Sequence, residues 1–556
     1  MSPTARRRIH LPLLAAIACI GLFAAACSKS DEGQGTTAQS AFNVQQKDAG
    51  PPVSGGSLVY GLNAETNNWS PYFGQWSGSS YTVANAVYDP LGAYDTNGDV
   101  QPYLAQAFEH NADFTQWTIK LRPGVKFHNG TALNAAAVVK NLETGASKGL
   151  TAQVLGPMYQ SVSAQDDSTV VVKMKSPWST YPHILTGQPG YMQAPEQLEN
   201  PNSDESLRKP IGTGPFQFVE WVPDQQFKGK KNQSYWSKDS SGTQLPYLDS
   251  ITFRVLPDFQ SRGAALESGE IDAMETGDPA QIIKFKGLAD QGQYQMYTDA
   301  GQNTLKTFIA LNTGKEPFNN PKAREALAYG VDTGLVSQAA YQDVFPAANS
   351  AISDQSPYYT DPGYPKYDKA KAMQLVKDYE AETGKKLTFS ALIPPAPEYQ
   401  SIAQSLQAQA KELGVDVELK TLDQSSLVNS VLGGNYEASG FIWFGSPLLD
   451  RDSVFLTSDS NPPGQLSVNI TRMDNPKIKA AIAEARKTDD KQKIKEQYAI
   501  VTQEMSKDLA YVWLVQNRTA IVYRNNVHGF TGQTLPTGQA APDSTTPFTD
   551  LVWVKR

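Results

Sequence analysis

A chain of 556 residues is longer than one hydrophobic core ordinarily serves, so two or three lobes are expected. Its 40% hydrophobic and 10% aromatic content is that of a globular protein and excludes a wholly disordered one. The formal charge of −8, with no basic run, excludes a nucleic-acid binder.

Arg6, Arg7 and Arg8 precede the uncharged run "LPLLAAIACIGLFAAA", Leu11 to Ala26. A basic start followed by sixteen apolar residues, short of the roughly 18 to 20 needed to span a bilayer, predicts a signal peptide over 1–26. The run ends at Cys27 after Ala24, Ala25 and Ala26, an arrangement that resembles a bacterial lipobox, although Ala24 stands where leucine is usual. Cys27 is therefore the expected lipidation site and membrane anchor. Without the signal the chain carries 45 basic and 56 acidic residues, about −11. Cys19 leaves with the signal, so no disulfide, zinc-thiolate or cysteine-nucleophile chemistry is open to the mature domain.

Residues 28–56, "SKSDEGQGTTAQSAFNVQQKDAGPPVSGG", have almost no large apolar side chains and predict a flexible tether from Cys27. Its 29 residues reach roughly 30 Å. The folded region opens with the strand "GSLVYGL". In "FTQWTIKLRPGVKF", Trp117, Ile119 and Leu121 alternate towards one side, and Pro123-Gly124 makes a turn. The following "HNGTALNAAAVVKNLE" is not a phosphate loop, because Gly124 and Gly130 precede Val125 and Thr131 rather than a lysine. Asn134 instead caps a helix whose Val138, Val139 and Leu142 share a face. From Leu387 to Leu419, an alternating strand, a helix with Ile402, Leu406, Ala410 and Leu413 on one face, and a second alternating strand predict a right-handed β-α-β crossover. Two further helices carry Ile478, Ile482 and Ala485, and Ile494, Tyr498, Val501 and Met505.

No nucleophile elbow, zinc helix, EF-hand loop or dinucleotide fingerprint occurs. "GTGPFQ" reads as a turn into the strand "FQFVEW". Ser206-x-x-Lys209 is stopped by Pro210, and the five histidines never take ligand spacing. Neither a metal, a cofactor nor an enzymatic activity is expected. Nine Trp and 25 Tyr remain, a supply of flat, hydrogen-bonding surface for lining a cleft.

An ordered series of blocks, "VYDPLGAYD", "LRPGVKFHNGTALNAAAVV", "PIGTGPFQFVEW", "LPYLDSITFRVLPDFQSRGAALESGEIDAM", "LNTGKEPFNNPKAREALAYGVD", "YEASGFIWF" and "NVHGF", resembles the family-5 extracytoplasmic solute-binding proteins of ABC importers. That resemblance covers Gly56 to about Phe530. It implies an α/β clamshell of two lobes: 57–91, 210–300 and 526–556 in the first, an extra subdomain of it at 92–209, and 301–525 in the second. It further implies a monomer on the outer face of the cytoplasmic membrane, binding a peptide or similar polar solute and serving permease and ATPase subunits. Peptide-binding members place an aspartate three residues after a tryptophan, to pair with the ligand ammonium. Here Trp443 matches, but Ser446 holds the aspartate's position. Either Asp450 or Glu65 then substitutes, or the cargo is a nickel chelate, haem or an oligosaccharide. By the same resemblance Tyr81 and Asn469 hold cleft positions, and Phe444 lines the wall beside Trp443 or packs within its strand. A secreted hydrolase of a comparable substrate is the competing class.

Overall fold

The computed structural model describes residues 43–44, 50–149, 151–299, 305–394, 397–458, 464–465 and 467–555. The expected signal peptide, Cys27 and most of the tether lie outside the described residues, but within the span expected to be a free tether Val44 exchanges both backbone bonds with Met296 and Asn43 Oδ1 accepts from the Thr298 N–H at 3.0 Å.

Two mixed sheets organise the chain. The first runs, in spatial order, Tyr294–Thr298, Ala520–Arg524, Ala273–Thr276, Ser57–Leu62, Ser250–Val255, Gln226–Lys231 and Phe216–Val222. Ser57–Leu62 pairs in parallel with both of its neighbours, and the remaining pairs are antiparallel. Its alternate side chains Leu58, Tyr60 and Leu62 are buried, packed with Trp69, Val83 and Phe253. This is the alternation that the first strand's sequence carries.

The second sheet is ordered Asp416–Thr421, Thr388–Ile393, Ala438–Trp443, Lys306–Leu311 and Tyr511–Gln516. The β-α-β unit forms as expected: Thr388–Ile393 and Asp416–Thr421 are parallel, joined by the helix Pro397–Glu412. Helices Pro476–Ala485 and Lys491–Asp508 bury Ile478, Ile482, Tyr498 and Val501 in the same lobe.

The chain passes between the sheets twice, from Thr298 to Lys306 and from Gln516 to Ala520. Strand Ala520–Arg524, within the span expected for the second lobe, is hydrogen-bonded on both edges inside the first sheet. The boundary expected at 525 therefore moves back to the crossover at 517–519. The reason is local: Val515 closes the apolar run of one strand, and the polar "QNRT" that follows spans the gap before "AIVY" resumes.

A third, antiparallel sheet of Ala105–His110, Gln116–Leu121, Thr169–Met174 and Tyr159–Asp166 lies within 92–209. Trp117, Ile119 and Leu121 are buried beneath the helix Ala135–Ser147. Asn134 caps that helix, its Oδ1 accepting from the Ala137 N–H at 3.0 Å. The turn at "GTG" is steric: a Cβ on Gly212 would sit 2.2 Å from the Val87 carbonyl oxygen, so the chain re-enters the first lobe only with glycine there.

Candidate functional site

Strand Ala438–Trp443 begins buried, with Ala438 and Ser439 inaccessible, and emerges at its C-terminal end, where Trp443 is 40% exposed. The ring packs edge-on against Phe455 of its own lobe, 4.9 Å between centroids, and the rest of the indole is open. Its Nε1–H donates to Asp452 Oδ1 at 3.2 Å, which fixes the ring. The next residue turns the opposite way. Phe444 adopts φ 57° and is 1% exposed, its ring packed against Phe308, Tyr511 and Trp513. Of the two placements expected for Phe444, the structure has the core one.

Ser446 is buried. Its N–H donates to Asp452 Oδ2 at 3.2 Å, and its Oγ accepts from the Leu448 N–H at 3.4 Å. Asp452 thus gathers the loop onto Trp443. Burial pushes the Asp452 carboxyl up from its ordinary range.

Asp450, on the short 3-10 turn Leu449–Asp452, belongs to a different construction. Its Oδ1 accepts from Arg486 Nε at 2.7 Å; its Oδ2 accepts from Trp178 Nε1 at 2.6 Å and from the Thr180 hydroxyl. Arg486 belongs to the second lobe, whereas Trp178 and Thr180 belong to the 92–209 region. The Ser179 N–H adds a bond to the Arg486 carbonyl at 2.8 Å, and the guanidinium lies 5.0 Å from the Trp178 ring. Burial alone would raise the Asp450 pKa, but the Arg486 charge and the bonds from Thr180 and Trp178 outweigh it and hold the group below the usual carboxylate range. Asp450, one of the two carboxylates expected to serve a ligand ammonium, has its oxygens taken up by Arg486 of the second lobe and by Trp178 and Thr180 of the 92–209 region.

Glu65 is likewise engaged by the protein. Its Oε2 accepts from Trp221 Nε1 at 2.9 Å and its Oε1 from the Asp224 N–H at 2.6 Å, tying the loop after the first strand to the hairpin behind it. Asn469, fully buried, donates through Nδ2 to the carbonyls of Met473 at 2.7 Å and Ser458 at 3.3 Å, so it braces a loop rather than facing the cleft.

Tyr81 is half-buried in the first lobe. It stands on helix Gly78–Val87, edge-on to Trp76 at 5.5 Å and tilted against Tyr191 at 6.1 Å. The second lobe answers with Arg451, whose charge interacts with Tyr81, Tyr94, Tyr191 and Asp452. Asp452 joins Trp443 and Ser446, and Arg451 beside it interacts with Tyr81, while Phe444, Glu65 and Asn469 are engaged by the protein itself. Sequence reasoning passed over Arg451 and Arg486. The signal for Arg451 was present in "LLDRDS", a cation between two acids in a turn too short to let the three point together.

Among the described residues no cluster of His, Cys, Asp and Glu could hold a metal ion, and no helix is long and apolar enough to cross a membrane.

The chain is 28% identical over 495 residues to the glutathione-binding protein GsiB of Pectobacterium atrosepticum, covering 87% of this chain and 93% of that one. Its likeness to the Salmonella typhimurium protein of the same name is 27% over 492 residues, covering 86% and 93%. In fold it resembles DppA of Helicobacter pylori in complex with the peptide STSA, at a TM-score of 0.77 and 21% identity, over 91% of this chain and 99% of that one. A similar match, at a TM-score of 0.75 and 23% identity, joins 91% of this chain to all of the oligopeptide-binding protein AppA of Bacillus subtilis in complex with a nonapeptide. With two sheets joined by paired crossovers and the family model matching residues 99–465, the chain belongs to the bacterial extracellular solute-binding proteins, family 5.

Proposed function

We propose that the protein is the extracytoplasmic receptor of an ABC importer, capturing a short peptide or glutathione-like solute between its lobes and passing it to permease and ATPase subunits. The observation that carries this reading is the exposed Trp443 indole, held by Asp452 at the end of its strand, with Arg451 of the same turn interacting with Tyr81 of the other lobe. Flat aromatic area with fixed polar neighbours suits a polar, extended ligand. The names of the GsiB relatives support a glutathione-like cargo. Lobe closure follows from differential affinity, since a ligand touching both walls favours the closed form.

In this reading residues 1–26 are removed, Cys27 carries lipid, and 28–56 tether a monomer to the outer face of the cytoplasmic membrane. The 92–209 region is an extra subdomain of the first lobe, and the bound solute leaves unchanged. Calorimetry with reduced glutathione, oxidised glutathione and tri-alanine, followed by mass analysis of the recovered solute, tests it. One-to-one binding of at least one probe with no product is expected. Turnover overturns the reading, as does binding of a nickel chelate, haem or an oligosaccharide with none of the three. For the anchor, Cys27→Ser is expected to release the protein from membranes; retention at unchanged mass refutes lipidation.

A further inference from the structure

The turn Leu449–Asp452 places three charged residues in succession, and the outer two are committed to the protein. Asp450 holds Arg486, Trp178 and Thr180; Asp452 holds Trp443 and the Ser446 N–H. The side chain between them goes across the gap. A Cβ on Gly187, in the first lobe, would come within 3.2 Å of Arg451 Nη2, so the guanidinium lies almost on that backbone. Around it the first lobe sets Tyr81, Tyr94 and Tyr191. Tyr191 is occupied, its hydroxyl donating to Asn85 Oδ1 at 2.5 Å, and the Tyr94 hydroxyl lies 3.3 Å from His183 Nδ1. Among the described residues, by contrast, the Arg451 guanidinium and the Tyr81 hydroxyl enter no hydrogen bond, and Arg451 has no carboxylate within ion-pair distance.

A half-buried guanidinium with its planar fork of donors unfilled, beside a free phenol, has one natural complement. A carboxylate matches the fork with two parallel N–H···O bonds and leaves a lone pair for the phenol.

We infer that Arg451, with Tyr81, is the anchor for a carboxylate group of the solute, so that the receptor selects ligands bearing a free carboxylate. This rests on the small-polar-solute reading above. Because Arg451 rides the turn that Asp450 clasps to the first lobe, it meets both Gly187 and the ligand only when the lobes are closed. The carboxylate would therefore favour closure as well as affinity.

The test is calorimetry on the purified protein with reduced glutathione, oxidised glutathione, tri-alanine and the fully amidated form of each, in which every carboxylate is an amide. Arg451→Gln is expected to weaken binding of the carboxylate form of whichever probe binds by about 30-fold or more. Removing the carboxylate by amidation should weaken wild type by a similar factor and Arg451→Gln by little further, the non-additivity of a direct contact. Arg451→Lys should recover part of the loss. If wild type binds a probe and Arg451→Gln binds it equally well with the same melting temperature, the inference falls and the reading stands. If wild type binds none of the six, reading and inference fall together. Equal loss for carboxylate and amide forms would show that Arg451 acts on the lobes alone and would overturn the carboxylate assignment.

Discussion

Replacing Asp450 with alanine should open the protein before it unfolds it. The carboxylate is 4% exposed, the Arg486 side chain 17%, and four donors converge on its two oxygens: Arg486 Nε, Trp178 Nε1, the Thr180 hydroxyl and, more distantly, Ser453 Oγ at 3.3 Å. Removing one partner of a buried ion pair costs about 3–5 kcal/mol, because the other charge is left buried without compensation. Here the loss has an outlet that a core pair lacks. Swinging the lobes apart exposes Arg486, Trp178 and Thr180 to water, so the cost is capped by that of opening, and about 2–4 kcal/mol should appear as a shift in the closed-to-open ratio. Such a shift is a factor of roughly 30 to 1,000 in that ratio, and apparent ligand affinity falls with the closed fraction. The assay is small-angle scattering, or energy transfer between dyes on the two lobes, with and without ligand. Wild type without ligand should populate the closed form appreciably, and Asp450→Ala should be open until saturated. Arg486→Met should mimic it, and the double variant should be no worse than either single one. If Asp450→Ala lowers the melting temperature while the inter-lobe distance stays that of wild type, the contacts are ordinary packing and the clasp reasoning is refuted. The pH dependence has a fixed sign. The folded-state pKa of Asp450 is depressed, so its contribution is present above the unfolded carboxylate value and lost as pH falls through the folded one.

Three other outcomes follow from the same contacts. Phe444→Ala removes a ring in contact with Phe308, Tyr511 and Trp513 and should cost about 3–5 kcal/mol in denaturant unfolding, whereas Trp443→Ala should weaken ligand binding at nearly constant stability. Asp550 and Asp89 are raised to about 7 and about 6, chiefly by burial, and Asp89 further raises Asp550. Their stabilising contribution is full below the unfolded value near 4 and lost as pH rises towards 7, so Asp550→Asn should flatten the decline of melting temperature between pH 4 and 7. Asn134→Ala should destabilise by about 1 kcal/mol through loss of the Ala137 N–H cap, with no change in ligand affinity.

What could be read from the sequence was what short-range spacing determines. The Asn134 cap, the strand with Trp117, Ile119 and Leu121, and the crossover from Thr388 to Thr421 each rest on periodicity within a few residues, and each forms as expected. The pairing of acids was not legible, because the partners of Asp450 lie 36, 270 and 272 residues away and only the closed fold brings them together. Spelling equally could not show that Phe444 turns inward, since its direction is set by the positive φ that ends the strand, not by the residue type. Arg451 was not legible either, since its place beside Gly187 and Tyr81 is set by contacts far away in the chain.

The chain order of the first sheet bears on how the protein is made. Strand Ala520–Arg524 fills the place between Tyr294–Thr298 and Ala273–Thr276, so that sheet has a gap until nearly the last residue is available. The second sheet is drawn entirely from Lys306 to Gln516, an uninterrupted stretch. A chain emerging from its N-terminus can therefore complete the second lobe while the first still holds an open slot with unpaired strand edges on either side. During that interval the first lobe is the sticky half of the molecule, and truncation anywhere before Arg524 would leave it so permanently.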